Sequence, residues 1–311
     1  MSGVLQTILA ASLIWLATFV FAAWSGSLLF SVFRATAKLT PPHNRSGFFV
    51  LYALLPALAS TAVTTTLYFP GLADMFLPAH CHSGDCAAHA PQFAVNAAYG
   101  AMYAAIGIIL IGMLFFLPLR QLLRHSRKAA ILKRLSTSSA QLDFQYDVHI
   151  VENDTPLAWC DGLIRPRVFV SRGLLEKTDS NELEIVLAHE RAHAERRDNL
   201  ARLLIDWSTR VWPSRIRRNL FEDFGAAIEH ACDYAAASGS EPEAVSRVIQ
   251  KLGERHAVSH IAEQRLEALA NSTGAPFASR LPSLFFLLTL CLVQAYLFAR
   301  AAHPIVEWFS L

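Results

Sequence analysis

Four long apolar runs constrain the fold of this chain more than any other feature of its sequence. A helix needs about 20 consecutive, mostly apolar residues to cross the hydrocarbon core of a membrane. Such runs, free of charged residues, cover residues 4–33, 48–68, 93–119 and 281–298. Because backbone polar groups cannot stay unpaired in lipid, each run is predicted to be a helix. The sequence therefore predicts four transmembrane helices, three before and one after a polar middle region.

The composition and the first residues agree with this prediction. Hydrophobic residues make up 53% of the chain and charged residues only 17%, whereas soluble domains carry about a quarter charged residues. The first run could instead be a cleaved signal peptide, which has a basic start and a short apolar core. No basic residue precedes this run, and it is too long for such a core. The net charge of +2 is too small to indicate direct nucleic-acid binding.

Basic residues next to the spans predict the orientation of the protein. Three of them, Arg34, Lys38 and Arg45, lie between the first two spans, and six more lie within residues 120–134. The loop 69–92 has no Lys or Arg. Because Lys and Arg accumulate in cytoplasmic loops, this loop, the N-terminus and the tail after the fourth span are expected outside. Residues 1–134 then form the three-span region, residues 135–275 a cytoplasmic domain, and residues 276–311 the last span and tail, in a bacterial-type inner membrane.

The middle region, residues 135–275, has the pattern of a small α+β domain. Apolar and polar residues alternate over residues 142–150, which is the period of a half-buried strand, and Val168–Val170 is predicted to be a second strand. A helix is predicted from Ser180, with Asp179 as its N-cap and Glu182 as the partner in a capping box.

This helix carries the strongest chemical motif of the chain, His189-Glu190-Arg-Ala-His193. Two histidines four residues apart project from one helical face and can bind one Zn²⁺ together. Glu190, next to the first histidine, can then accept a proton from a water that the metal activates. The alternative is a solvent-exposed helix whose histidines bind nothing. The apolar residues just before the motif favour a buried site, and hence a zinc peptidase.

A catalytic zinc needs a third protein ligand, which the spacing alone does not identify. Glu229 and Asp233 lie four residues apart on one face of a later predicted helix. One of these carboxylates could bind zinc while the other accepts an N–H from a ligand histidine. Glu222 and Asp223 are expected on a solvated face, and His230 points about 100° away from Glu229.

Three stretches together resemble a known family. Residues 160–175, then 189–193 followed by Arg197-Asp198, then 229–233 are similar to the membrane metallopeptidases of the BlaR/MecR type, the β-lactam sensor-transducers. Those proteins also have three spans before and one after a cytoplasmic peptidase domain. They continue with a penicillin-binding domain after the fourth span, whereas this sequence continues only to Leu311. The resemblance therefore does not extend to β-lactam sensing.

The resemblance implies a gluzincin-like zinc peptidase domain and assigns roles to six residues. These are His189, His193 and Glu229 as zinc ligands, Glu190 as the catalytic base, and Asp233 and Asp198 as residues that orient the ligands. It also implies regulatory proteolysis of a cytoplasmic protein, often a transcriptional repressor. The alternatives are a quality-control peptidase for membrane proteins and a signal-transducing receptor whose zinc is only structural. The substrate and the activating signal stay open, and a homo-oligomer is compatible with the sequence.

A second cluster of potential ligands lies in the external loop 69–92. It consists of His80, Cys81, His82, Cys86 and His89. An oxidising compartment favours a Cys81–Cys86 disulfide. If the thiols stay reduced, the same residues suit a soft metal such as copper. The loop is thus expected either to be a structural element or to sense a stimulus outside the cell.

Overall fold

The structure is a computed structural model that describes residues 3–69, 71, 81–82, 85–86, 100–138, 148–253, 265–267 and 281–310. Most of these residues are helical. The helices are α1 (Gly3–Ala37), α2 (Pro42–Tyr68), α3 (Gly100–Leu135), α4 (Arg172–Leu175), α5 (Ser180–Arg196), α6 (Asp198–Ser208), α7 (Ser214–Ser238), α8 (Pro242–Gly253) and α9 (Leu281–Ser310). The strands are β1 (Cys81–His82), β2 (Asp85–Cys86), β3 (Thr137–Ser138), β4 (Val148–Val151), β5 (Ala158–Asp161) and β6 (Arg167–Ser171).

Three described helices are long and apolar enough to cross a membrane, as the sequence predicts. The segments are Thr7–Ala37 in α1, Asn44–Tyr68 in α2 and Leu281–Phe298 in α9. The predicted span 93–119 begins outside the described residues. From Gly100 onward it is helical and continues without a break to Leu135, as α3. Its membrane crossing stays a prediction.

Aromatic packing and paired polar groups hold α1, α2 and α9 together. The ring of Tyr52 on α2 stacks on Phe33 of α1 with centroids 4.0 Å apart, and its hydroxyl donates to the carbonyl of Gly26. The hydroxyls of Thr40 and Ser283, at the start of α9, are 2.9 Å apart. Because an unpaired polar group is costly in an apolar interior, such pairs define how the helices meet.

The polar middle region contains a four-stranded sheet in the order β3-β4-β6-β5. Strands β4 and β6 are parallel, and the other two pairs are antiparallel. The predicted strand Val168–Val170 is confirmed within β6. Of the predicted strand 142–150 only Val148–Ile150 is described, as part of β4. Strand β5, which was not predicted from the sequence, forms one edge of the sheet and lies beside α5.

The start of α5 confirms the predicted capping box. Asp179 accepts a hydrogen bond from the amide of Glu182 at 2.8 Å, and the Glu182 carboxylate accepts one from the amide of Asp179 at 3.1 Å. The helix ends at Arg197, whose backbone is left-handed with φ 52° and ψ 46°. Helix α6 begins directly after this residue, at Asp198.

Helices α6 and α7, which residues 209–213 connect, both pack against α2, and aromatic rings of this region reach α1. Trp207 lies 6.0 Å from Phe19 of α1, and Trp212 lies 6.1 Å from Phe30, measured between ring centroids. Near the end of α6, Gln121 of α3 donates to Asp206 at 2.8 Å. The polar region therefore shares one apolar core with the membrane helices, and a second core lies between the sheet, α5 and α8.

The external cluster is only partly described. Strands β1 and β2 pair antiparallel, with Cys81 directly opposite Cys86 and His82 opposite Asp85. His80 and His89 lie outside the described residues. The backbone register brings the two cysteines to facing positions, which both the disulfide and the metal site require. Both interpretations stay predictions.

Candidate active site

The two histidines of α5 and one carboxylate of α7 converge on a common point. The Nε2 atoms of His189 and His193 are 3.2 Å apart. The carboxylate of Glu229 lies 3.5 Å from the first Nε2 and 3.8 Å from the second. One helical turn separates the histidines, so α5 presents both rings to the side on which α7 crosses it.

A further carboxylate holds the other nitrogen of each histidine. The Nδ1 atom of His189 lies 3.0 Å from Asp233, and the Nδ1 atom of His193 lies 2.8 Å from Asp198. Both aspartates are buried. When Nδ1 carries the proton and donates it to a carboxylate, Nε2 keeps its lone pair for a metal. Asp233 reaches its histidine from the same helix as Glu229, and Asp198 reaches its own from the first residue of α6, directly after Arg197.

Arg265 completes the charge balance of this cluster. Its Nε donates to Asp233 at 2.8 Å, and its Nη1 lies 3.5 Å from Glu229. Arg265 belongs to a short helical segment, residues 265–267, and it touches two carboxylates that would otherwise repel each other across one helical turn. This residue was not predicted from the sequence, because nothing in its neighbourhood marks it as part of a site 32 residues away.

The ionisation of the cluster follows from these contacts. Burial alone would lower the pKa of His189, but its hydrogen bonds to Asp233 and Glu229 raise the pKa to about 9. Burial alone would raise the pKa of Glu229, but His189 and Arg265 lower it to about 2. The pKa of Asp233 is lowered as well, because Arg265 and His189 outweigh the effect of burial. Asp233 and Glu229 are thus stabilised in their anionic forms by the neighbouring cationic groups.

Glu190 lies beside these groups but has a different environment. It is 8% exposed, and burial raises the pKa of its carboxyl group above the ordinary value, although the neighbouring histidines oppose the effect. A raised pKa makes a carboxylate a better proton acceptor at neutral pH. Position, burial and basicity therefore suit Glu190 to take a proton from a group bound at the histidines.

All these side chains line one cavity of about 550 Å³. Residues 156–160, which lead into and include most of edge strand β5, form one wall. The other walls come from α5, α6, α7, α8 and Arg265. Apolar side chains from α5 and α8 line one part of the cavity, namely Ile185, Val186, Val245, Val248 and Ile249. The cavity is large enough for several side chains of a peptide.

Two overlapping sets of residues in the described part of the chain could hold a metal ion. The first is His189, His193 and Glu229, and the second is His193, Asp198 and Cys232. The second set uses the Nδ1 side of His193, where Asp198 already accepts its hydrogen bond, and Cys232 is fully buried. The first set has two free Nε2 atoms and a carboxylate within 4.8 Å of one another. Two imidazoles and one carboxylate are a donor set typical of catalytic zinc.

The structure separates the other candidate ligands from this point. Glu222 is exposed, and Asp223 forms an ion pair with Arg34 at the end of α1, at 2.6 Å. His230 is beside Glu229 in sequence but is not among the residues that line the cavity. Two cavity residues of β5, Trp159 and Cys160, were not predicted to belong to the site. Strand β5 has only four residues, which is too short for an alternation of apolar and polar side chains to be recognised in the sequence.

The fold and the site define a membrane-associated protein with a metallopeptidase-type centre. Comparison with known families agrees: residues 122–271 match the model of Peptidase family M48, which indicates a metallopeptidase domain. The match covers slightly less than half of the chain and includes both histidines, Glu190, Glu229 and Arg265. No curated protein and no solved structure shows a significant similarity to this chain.

Proposed function

We propose that this protein is an integral membrane zinc endopeptidase that cleaves a protein substrate on the cytoplasmic side. One observation carries the proposal: His189, His193 and Glu229 converge in a cavity that also contains the buried base Glu190. A purely structural zinc site is closed by four protein ligands, whereas this cluster opens into a cavity beside an edge strand. The match to Peptidase family M48 supports the same activity.

Each residue has a distinct role in the proposed mechanism. His189, His193 and Glu229 would hold the zinc ion, while Asp233 and Asp198 orient the two rings. A bound zinc ion polarises a peptide carbonyl and lowers the pKa of a water molecule toward neutrality. Glu190 accepts the proton from that water and delivers it to the leaving amine. Arg265 keeps Asp233 and Glu229 ionised and in place.

The substrate of this site is an extended polypeptide. Strand β5 pairs with β6 and has no second partner strand among the described residues. The backbone groups of such an edge can pair with an added strand, apart from the carbonyl of Cys160, which accepts a hydrogen bond from Asn199. A peptide that lies along residues 156–160 would pass directly over the histidines, because the same residues line the cavity with them. The apolar part of the cavity would accept an apolar side chain of that peptide.

Cleavage of an unfolded protein by the purified enzyme tests the activity. In detergent, the zinc-loaded protein is expected to cut such a substrate into peptides. A zinc chelator should stop cleavage, and added zinc should restore it. The reason is that the ion would polarise the peptide carbonyl as a Lewis acid and activate the attacking water. Cleavage that persists after metal removal would contradict the proposal.

We further propose that the protein acts in regulatory proteolysis, with a transcriptional repressor as one type of substrate. The motifs shared with the BlaR/MecR type support this role. A regulatory enzyme has one or few substrates, whereas a quality-control peptidase takes many unfolded membrane proteins. An inactive variant that still binds its substrates in cells can distinguish a regulatory enzyme from a quality-control peptidase. One soluble protein bound to the variant would support regulation, and a broad set of bound membrane proteins would contradict it.

The proposed orientation places the N-terminus and C-terminus outside and the peptidase domain inside. It rests on the basic residues at 34–45 and 120–134 and on their absence from the loop 69–92. A reporter that is active only in the cytoplasm should work when fused after Arg134. A periplasm-active reporter should work when fused at Leu311. The reverse pair of results would contradict the orientation.

A further inference from the structure

One cation of the cavity has no role in the mechanism above. Arg202 lies on α6, lines the cavity and is half-buried. In the part of the chain that the structure describes, it forms no ion pair, whereas the other arginine of the cavity, Arg265, is bonded to two carboxylates. A half-buried guanidinium without a counter-charge is unusual, because the charge loses part of its hydration and has no carboxylate to compensate for the loss.

The position of Arg202 follows from its place on α6 and from a contact with an aromatic ring of α7. It follows Asp198 by four residues, so its Cα lies about 6 Å further along α6 on the same face. The guanidinium carbon is 5.9 Å from the centroid of the Phe224 ring on α7, which is within the range of a cation–π contact. This contact is with an apolar ring, so it does not engage the N–H donors of Arg202 in an ion pair.

We propose, on the basis of the peptidase function above, that Arg202 binds a carboxylate of the substrate close to the scissile bond. A guanidinium presents a planar fork of N–H donors that matches the two oxygens of a carboxylate. The neighbouring amide of Asn199 is already occupied, since its Nδ2 donates to the carbonyl of Cys160 at 3.1 Å. Among the described residues that line the cavity, Arg202 is therefore a cation without a carboxylate partner. It is a specificity-determining residue and takes no part in the chemistry.

Two sources supply such a carboxylate. It belongs either to an aspartate or glutamate side chain within the substrate, or to the C-terminus of the chain. In the first case the enzyme prefers an acidic residue at one fixed position from the cleavage site. In the second it removes short C-terminal fragments. The apolar lining residues of α8, Val245, Val248 and Ile249, cannot form such a charge-assisted bond.

Matched peptides with the zinc-loaded, full-length enzyme test the inference. One set has an amidated C-terminus and carries Glu, Gln or Lys at one position at a time on each side of the cleaved bond. A second set has only neutral residues and ends in a free carboxylate or an amide. In one of the two sets, the peptide with the carboxylate is expected to have a kcat/KM about 10- to 100-fold above that of its neutral counterpart. This factor corresponds to the free energy of a charge-assisted hydrogen bond.

Substitution of Arg202 shows whether this preference comes from the proposed contact. Arg202→Met should abolish the preference, so that acidic and neutral peptides are cleaved with equal kcat/KM. Arg202→Glu should reverse it, in favour of Lys. Arg247→Glu is the matched control, because Arg247 is exposed on α8, lies outside the cavity and gives the same change in net charge. The control should keep the preference of the parent.

The possible results separate this inference from the function on which it rests. Parent enzyme that cleaves acidic and neutral peptides equally in both sets would overturn the role of Arg202 and leave the peptidase standing. The same conclusion follows if Arg202→Met keeps the preference. If Arg202→Glu does not fold, as judged by its zinc content, Arg202→Met still decides. No cleavage of any peptide by the parent would contradict the proposed peptidase itself.

Discussion

Glu229→Ala is expected to lose its zinc, whereas Glu222→Ala is expected to retain it. The carboxylate of Glu229 faces both Nε2 atoms, at 3.5 and 3.8 Å, so its removal leaves a metal with two protein ligands. Glu222 lies on the same helix two turns earlier and is exposed. Zinc content per chain, measured after dialysis against a mild chelator, should fall from about one to near zero only in Glu229→Ala.

Graded losses in neighbouring variants extend this prediction. His189→Ala and His193→Ala should lose zinc as Glu229→Ala does, because each removes a direct ligand. Asp233→Asn removes only the negative charge that orients a ligand ring, and such changes cost about 10- to 100-fold in metal affinity. Cys232→Ser is expected to bind zinc normally. Loss of zinc in Cys232→Ser but not in Glu229→Ala would show that the metal occupies the second set, with His193 and Asp198.

Local features of the site could be predicted from the sequence because neighbouring residues create them. The capping box of Asp179 and Glu182 needs only four consecutive residues, and the structure confirms it. The two histidines share a helical face because one turn separates them. In the same way, the apolar runs predict membrane helices, since length and composition alone decide whether a helix can cross.

Features that depend on the meeting of distant segments could not be predicted in this way. Spacing did not decide between Glu229 and Asp233 as the ligand, because the choice depends on how α7 crosses α5. The structure places Glu229 at Nε2 and Asp233 at Nδ1 of the same histidine. Arg265 illustrates the limit more clearly, since it contacts the cluster from a segment with no recognisable motif.

Some apolar residues of the first membrane helix also belong to a protein core, and composition does not reveal this second role. The first apolar run, residues 4–33, is about ten residues longer than a span requires. Part of the excess belongs to a protein core: Phe30 packs against Trp212, in the connection between α6 and α7, with ring centroids 6.1 Å apart. Lipid and a protein core both select apolar side chains, so hydropathy cannot distinguish them. The peptidase region is therefore joined to the bundle through a shared core, which the sequence does not reveal.

Glu190→Gln is expected to keep its zinc and to lose peptidase activity by about 100- to 10,000-fold, the usual contribution of a general base. Glutamine has nearly the same shape as glutamate but cannot accept a proton at neutral pH. Glu190 is not among the three groups that converge at the metal position, so the metal should stay. Zinc content and kcat on one peptide, measured on the same preparation, test both parts of the prediction.

Glu184→Gln is the matched control for this experiment. Glu184 lies on the same helix and is exposed, and its substitution removes the same charge. The Glu184→Gln variant should cleave the peptide at the parent rate. A loss of activity in Glu190→Gln then reflects the removal of the base and not the change in the charge of α5. Full activity in Glu190→Gln would exclude this residue as the base. A variant that is inactive but retains zinc would bind substrate without cutting it, which makes it the form with which to capture the natural substrate from membranes.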